Sequence, residues 1–172
     1  MEYSEIVRFH GHTCPGLAMG YRMSVAALEA LAAERAEDEE LVAVVENDGC
    51  GVDAVQCLTG CTFGKGNLIF KDYGKSVYTF FSRTTLRGVR VLLNTSAIPQ
   101  ALREDRAAYM DYLLSAPATE ILTLTPVTNA APPPARVRKT LSCARCGEGV
   151  MESRLQEVGG QLVCIPCAEA CP

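Results

Sequence analysis

Tryptophan is absent from this 172-residue chain, aromatic residues make up only 6%, and there are just two histidines. No apolar run approaches the roughly 20 residues that a membrane-spanning helix needs. The longest uninterrupted stretch is Leu41 to Val45. The amino terminus, MEYSEIVRFHGHTC, lacks the basic start and following apolar segment of a secretory signal. Basic charge is not in excess either: the net charge is −4 and the pI about 5.2, so nucleic acid gains no general attraction. These absences leave the expectation of a cytoplasmic protein with no membrane span. Hydrophobic residues at 48% and charged residues at 21% are near globular averages.

Cysteine is what the chain has in quantity. There are nine: Cys14, Cys50, Cys57, Cys61, Cys143, Cys146, Cys164, Cys167 and Cys171. An odd count cannot pair fully within one chain. Without a secretory signal, thiols in such numbers point to metal binding or catalysis rather than to disulfide staples.

Asn129-Ala-Ala-Pro-Pro-Pro-Ala135 marks one seam. A proline run is stiff and extended and joins no sheet interior. It separates a core, residues 1–131, from a linker at 132–139 and a small module at 140–172. The core is large enough to bury its own interior. The module is too small for apolar burial alone and calls for a staple.

The core pattern predicts helices from Ser4 to Phe9, with Ser4 as cap, from Pro15 to about Arg35, from Val52 to Thr59 and from Pro99 to Ser115. Leu41 to Glu46 reads as a strand buried on both faces. Asn67 to Lys71 and Ser76 to Arg83 read as a hairpin around Asp72-Tyr73-Gly74, followed by strands at Gly88 to Asn94 and Ile121 to Val127. Glu37 to Glu40 reads as a solvated loop. Clustered antiparallel strands with helices between them predict an α+β fold.

In the small module, Cys143-x2-Cys146-x17-Cys164-x2-Cys167 has the spacing of a four-cysteine structural zinc site. Two residues between ligands let a tight turn aim both sulfurs at one tetrahedral metal, and Zn2+ suits four thiolates. Four thiolates leave no open position, so the expected role is structural. Cys171 is read as a spare terminal thiol.

The second constellation lies in the core: His10-Gly-His12-Thr-Cys14-Pro-Gly, Asp48-Gly-Cys50-Gly-Val-Asp53-Ala-Val-Gln56-Cys57, and Thr59-Gly-Cys61-Thr-Phe-Gly64-Lys65-Gly66. Imidazole and thiolate donors are what late first-row metals prefer, which makes a second transition metal the expectation. Asp53, Gln56 and Cys57 share a helical face. Cys14 lies at a helix N-terminus, where a sulfur gains metal affinity or reactivity. Lys65 is a candidate for holding an anionic group, against the plainer role of an exposed lysine.

FHGHTCPGLAMGYR, ENDGCGVDAVQ and TGCTFGKGNL resemble, in order and spacing, the signature segments of the formylmethanofuran dehydrogenase E-subunit family. The resemblance covers most of residues 5–95. It implies a dimeric α+β core followed, in some members, by a treble-clef zinc finger. It also implies a metal or thiol site drawn from His10, His12, Cys14, Cys50, Asp53, Gln56, Cys61 and Lys65. Cys14, Asp53, Gln56 and Lys65 are the candidates for chemistry, and the histidines with Cys14, Cys50 and Cys61 for metal. Cys57 stands where an aliphatic residue is expected and is read as core.

The parent enzyme is a molybdenum or tungsten oxidoreductase. This sequence has no large cofactor domain and no ferredoxin-like cysteine run, so alone it does not complete that dehydrogenation. Three readings follow. The first is a metal-dependent or thiol-chemistry protein acting on an unidentified small molecule. The second is an accessory protein for assembly of, or metal delivery to, a molybdenum or tungsten enzyme. The third, a zinc-finger regulator, rests only on Arg136, Arg138 and Lys139 and is opposed by overall acidity and scarce aromatics.

Overall fold

The computed structural model describes residues 1–170, and Cys171 lies outside the described residues. The chain divides into two units between Ala135 and Arg136, within the proline linker. The first half of that linker belongs to the first unit: Arg83 donates to the Pro132 carbonyl at 3.0 Å, and the Ala135 amide donates to the Glu39 carboxylate at 3.0 Å.

The first unit runs α1 (Tyr3–His10), α2 (Pro15–Leu31), β1 (Leu41–Val45), α3 (Gly51–Thr59), β2 (Leu68–Phe70), β3 (Val77–Ser82), β4 (Arg87–Leu93), α4 (Gln100–Glu104), α5 (Arg106–Ser115), α6 (Ala118–Ile121) and β5 (Leu122–Val127). The strands form one sheet in the order β2-β1-β3-β4-β5. The fold is α+β. On one sheet face Ala43, Val45, Phe80, Val89 and Val91 pack with Ala18, Met23, Ala27 and Leu31 of α2. On the other, Val42, Val44 and Phe81 form a smaller cluster that Ile69, Val127 and Ala131 adjoin.

Four sequence expectations need correction. The helix from Pro15 ends at Leu31 rather than near Arg35, because Ala32 turns left-handed at φ 48° and its amide closes the last turn on the Glu29 carbonyl. The hairpin of Asn67 to Lys71 with Ser76 to Arg83 does not form. β2 pairs parallel with β1 (Ala43 opposite Leu68), and β1 pairs antiparallel with β3 (Ala43 opposite Phe80), so β1 lies between them. All five β1 residues are buried, which demands a partner on each edge, and α3 supplies the crossover that a parallel neighbour requires. The Pro99 to Ser115 helix is two helices, because the Asp105 carboxylate accepts from the Ala107 and Ala108 amides and starts α5 anew. The first helix begins at Tyr3 rather than at Ser4: the Glu5 carboxylate accepts from the Glu2 amide at 2.8 Å in a capping-box arrangement. The edge strand β5 contains Pro126, which lacks an N–H and is tolerated at such an edge.

The second unit holds two hairpins and a short helix. β6 (Thr140–Ser142) pairs with β7 (Gly149–Met151), β8 (Leu155–Val158) pairs with β9 (Gln161–Cys164), and α7 covers Ile165–Glu169. Its buried apolar residues are Cys143, Val163 and Cys164, with Val150, Val158, Cys167 and Ala168 around them.

Candidate metal centres

Three helix ends converge in the first unit. Ile6 of α1, Leu17 of α2 and Ala54 and Leu58 of α3 form a shared apolar cluster with Cys14. Directly beside it stand the chemical groups. His10 is the last residue of α1, and Gly11, left-handed at φ 93°, turns the chain so that His12 and Cys14 follow close by. Cys14 caps α2, its sulfur accepting from the Leu17 amide at 3.4 Å. Cys50 stands at the N-cap position of α3.

What brings Cys14 against Cys50 is backbone-to-backbone packing. A Cβ on Gly20 would lie 2.2 Å from the Gly51 carbonyl oxygen and 2.4 Å from its Cα. Only glycine permits that approach.

One donor atom each from His10, His12, Cys14 and Cys50 all lie within 4.8 Å of one another. His10 Nδ1 is 2.7 Å from an Asp53 carboxylate oxygen, and its Nε2 faces the Cys14 sulfur at 4.0 Å. With the proton on Nδ1 donated to Asp53, Nε2 keeps its lone pair toward the thiols, the carboxylate–histidine arrangement of metal sites. Gln56 donates to the other Asp53 oxygen at 3.4 Å and accepts from the Phe63 amide at 3.3 Å, tying α3 to the following loop. His12 is exposed and its ring centroid is 4.4 Å from that of His10. Burial raises the Cys50 thiol pKa, and the neighbouring Cys14 raises it further.

A cavity of about 400 Å³ opens beside this group. His10, Cys50, Asp53 and Gln56 reach its wall, which continues over Val45, Val52, Leu68, Phe63 and Phe70. Asn47, Asp48 and Gly49 complete it. Asn47 fixes the rim: its amide donates to the Lys75 carbonyl and its oxygen accepts from the Gly49 amide. Sequence patterns do not single out Phe63, Phe70 or Asn47 as site residues, although Phe63 and Asn47 sit inside the segments that carry the family resemblance.

Two sequence candidates lie elsewhere. Cys61 is fully buried among core residues, outside the four-donor group, and burial pushes its thiol up to about 11. Its amide donates to the Thr59 hydroxyl at 3.1 Å. Lys65 does not line the cavity. Its ammonium donates to the Asp38 carbonyl at 2.7 Å and the Glu37 carbonyl at 3.3 Å, holding the acidic loop. Cys57 is half-buried, with its thiol 3.4 Å from the Met1 sulfur. Replacing Cys61 by Ala should therefore leave metal content unchanged and cost about 1 kcal/mol of stability for the small void. Metal analysis alongside urea unfolding checks both.

In the second unit, one sulfur each of Cys143, Cys146, Cys164 and Cys167 lie within 4.8 Å of one another. The Cys146 and Cys164 amides draw the Cys143 thiol down to about 6, and the Cys164 amide lies 3.2 Å from that sulfur. Cys164 ends β9 and Cys167 is in the first turn of α7, so a strand end and a helix start aim one pair of sulfurs. Four sulfurs within 4.8 Å of one another, with amides donating to sulfur, fit a tetrahedral zinc ion.

Both units have known relatives. Residues 138–170 match the model for the prokaryotic dksA/traR C4-type zinc finger. A probable S-adenosyl-L-methionine-binding protein of Archaeoglobus fulgidus is 44% identical over 94 residues, 52% of this chain. The chain spans only 26% of the length of that curated relative. The crystal structure of a tungsten formylmethanofuran dehydrogenase FmdE-like protein from Syntrophus aciditrophicus superposes with a TM-score of 0.74 at 27% identity. That similarity covers 100% of this chain and 95% of the other. No helix among the described residues is long and apolar enough to cross a membrane. Residues 9–123, more than half of the chain, match the model described as FmdE, molybdenum formylmethanofuran dehydrogenase operon, and the chain belongs to that family.

Proposed function

We propose that the first unit is a metal-dependent module acting on a small molecule, in which His10, His12, Cys14 and Cys50 hold a transition metal. The carrying observation is the four-donor group with His10 braced by Asp53, open on one side to a cavity. Two imidazoles and two thiolates suit zinc or a neighbouring first-row ion. Lewis acidity at the ion would require one of the four positions to open, and the exposed His12 is the donor placed to yield it. Asp53 would fix the His10 tautomer, and Gln56 would fix Asp53. Lys65 and Cys61 take no part. The second unit is proposed to bind structural zinc.

Cobalt(II) substitution tests this reading in a Cys143→Ser chain, which isolates the first site. Thiolate-to-cobalt and d–d absorption bands should appear and should vanish with Cys14→Ser. Asp53→Asn should weaken cobalt binding about ten- to hundredfold by loosening His10. An unchanged affinity for Asp53→Asn would reject the brace.

A second reading, an accessory role in assembling a molybdenum or tungsten enzyme, is supported by the separate zinc-finger unit beyond a proline linker and by the family's operon description. In this reading the finger docks a partner. Homodimerisation belongs to the same proposal.

A further inference from the structure

The cavity beside the four-donor group has a one-sided chemistry. Two carboxylates, Asp48 and Asp53, stand in its wall, and no lysine or arginine does. Metal binding does not reverse this sign. A divalent ion held by two thiolates and two neutral imidazoles makes a neutral cluster, so both carboxylates remain uncompensated by it. A ligand inside the cavity faces these two carboxylates in a partly apolar enclosure, where charge counts for more than in bulk water, while the nearby Lys71 and Lys75 ammonium groups lie over Tyr73.

The rest of the wall is apolar and carries two aromatic rings. Phe63 is 77% exposed and Phe70 45% exposed. Both line the cavity. Ring faces left open at a cavity attract flat partners by stacking and cations through their quadrupole. A volume of about 400 Å³ suits a molecule of one or two fused rings.

We propose that this cavity binds a small, flat aromatic molecule bearing positive charge, and that it rejects the equivalent anion. This rests on the reading above that the cavity serves the His/Cys site. It goes beyond that reading by naming the ligand class and by setting phosphorylated and carboxylate-rich molecules aside. Asp48 is the selecting residue, because Asp53 is already committed to His10 and Gln56.

Tryptamine and indolepropionate carry the same ring with opposite charge. The protein has no tryptophan, so indole fluorescence anisotropy reports the probe alone. With the metal-loaded full chain at pH about 8, where free imidazole is neutral, tryptamine should bind at least about tenfold tighter than indolepropionate. Asp48→Asn should remove most of that preference, and Phe63→Ala should weaken tryptamine binding. Equal or reversed affinities, or no binding of either probe at millimolar concentration, would overturn the proposal. Metal analysis of the same samples separates the two claims. Selection without a core metal sinks the metal reading alone, and a core metal without selection sinks the ligand class alone.

Discussion

Gly20→Ala should destabilise the first unit by about 3 kcal/mol or more, at the upper end of what overpacking costs. The added methyl would lie 2.2 Å from the Gly51 carbonyl oxygen, a backbone atom with no side-chain torsion to absorb the clash. α2 and α3 must therefore move apart. Gly16 is also tight against α3, since its Cβ would sit 3.3 Å from that of Cys50. Separation of the helices pulls Cys14 from Cys50, so metal affinity should fall along with stability. Gly64→Ala is the matched control: nothing lies within 4 Å of its Cβ. It should stay within about 0.5 kcal/mol of the parent. Urea unfolding followed by circular dichroism reads both. A Gly20→Ala chain as stable as the parent would mean that the two helices are not locked by this contact.

Cys164→Ser should unfold the second unit and spare the first. Among the described residues there, the buried apolar ones are Cys143, Val163 and Cys164. Burying one valine contributes about 2 kcal/mol, whereas ordering each residue costs about 1–2 kcal/mol of backbone entropy. Apolar burial falls far short over this module, and metal must make up the difference. Structural zinc contributes about 10–16 kcal/mol in small fingers. A serine at position 164 removes one of the four sulfurs. Amide protons across β8 and β9 should then exchange at unprotected rates, while those of β1 and β3 keep their protection. Persistent protection in β8 and β9 would show a fold that stands without its metal.

Some of these features are legible in the sequence and others are not, for physical reasons. α2 and α3 are legible because helical spacing is a local signal, as is the proline at N1 of α2. β1 is legible as a doubly buried strand, but its neighbour is not. That β2 lies parallel on its far edge depends on a crossover through α3, which no local pattern encodes. Asp105 reads as a residue within a helix because its capping role depends on a break there. Cysteine identity is the harder limit. Cys50 and Cys61 both stand beside glycines in the family-like segments, yet one sulfur reaches the donor group and the other enters the core. Residue type does not say which way a side chain points. Lys65 escapes for a similar reason, because its partners are backbone carbonyls of the Glu37 to Glu40 loop, which carry no sequence signature. The aromatic cavity wall is assembled from loop and strand-end positions far apart in sequence, and only the folded sheet unites them.

If the chain carries two independent metal sites, one built by helix ends and one by the four tail cysteines, each should empty without the other. Metal stoichiometry of the purified full chain decides this, read by plasma mass spectrometry in the parent, in Cys14→Ser, in Cys164→Ser and in the double variant. Two, one, one and no metal ions per chain are expected. One ion in the parent, lost entirely in Cys164→Ser and untouched in Cys14→Ser, would contradict a second site.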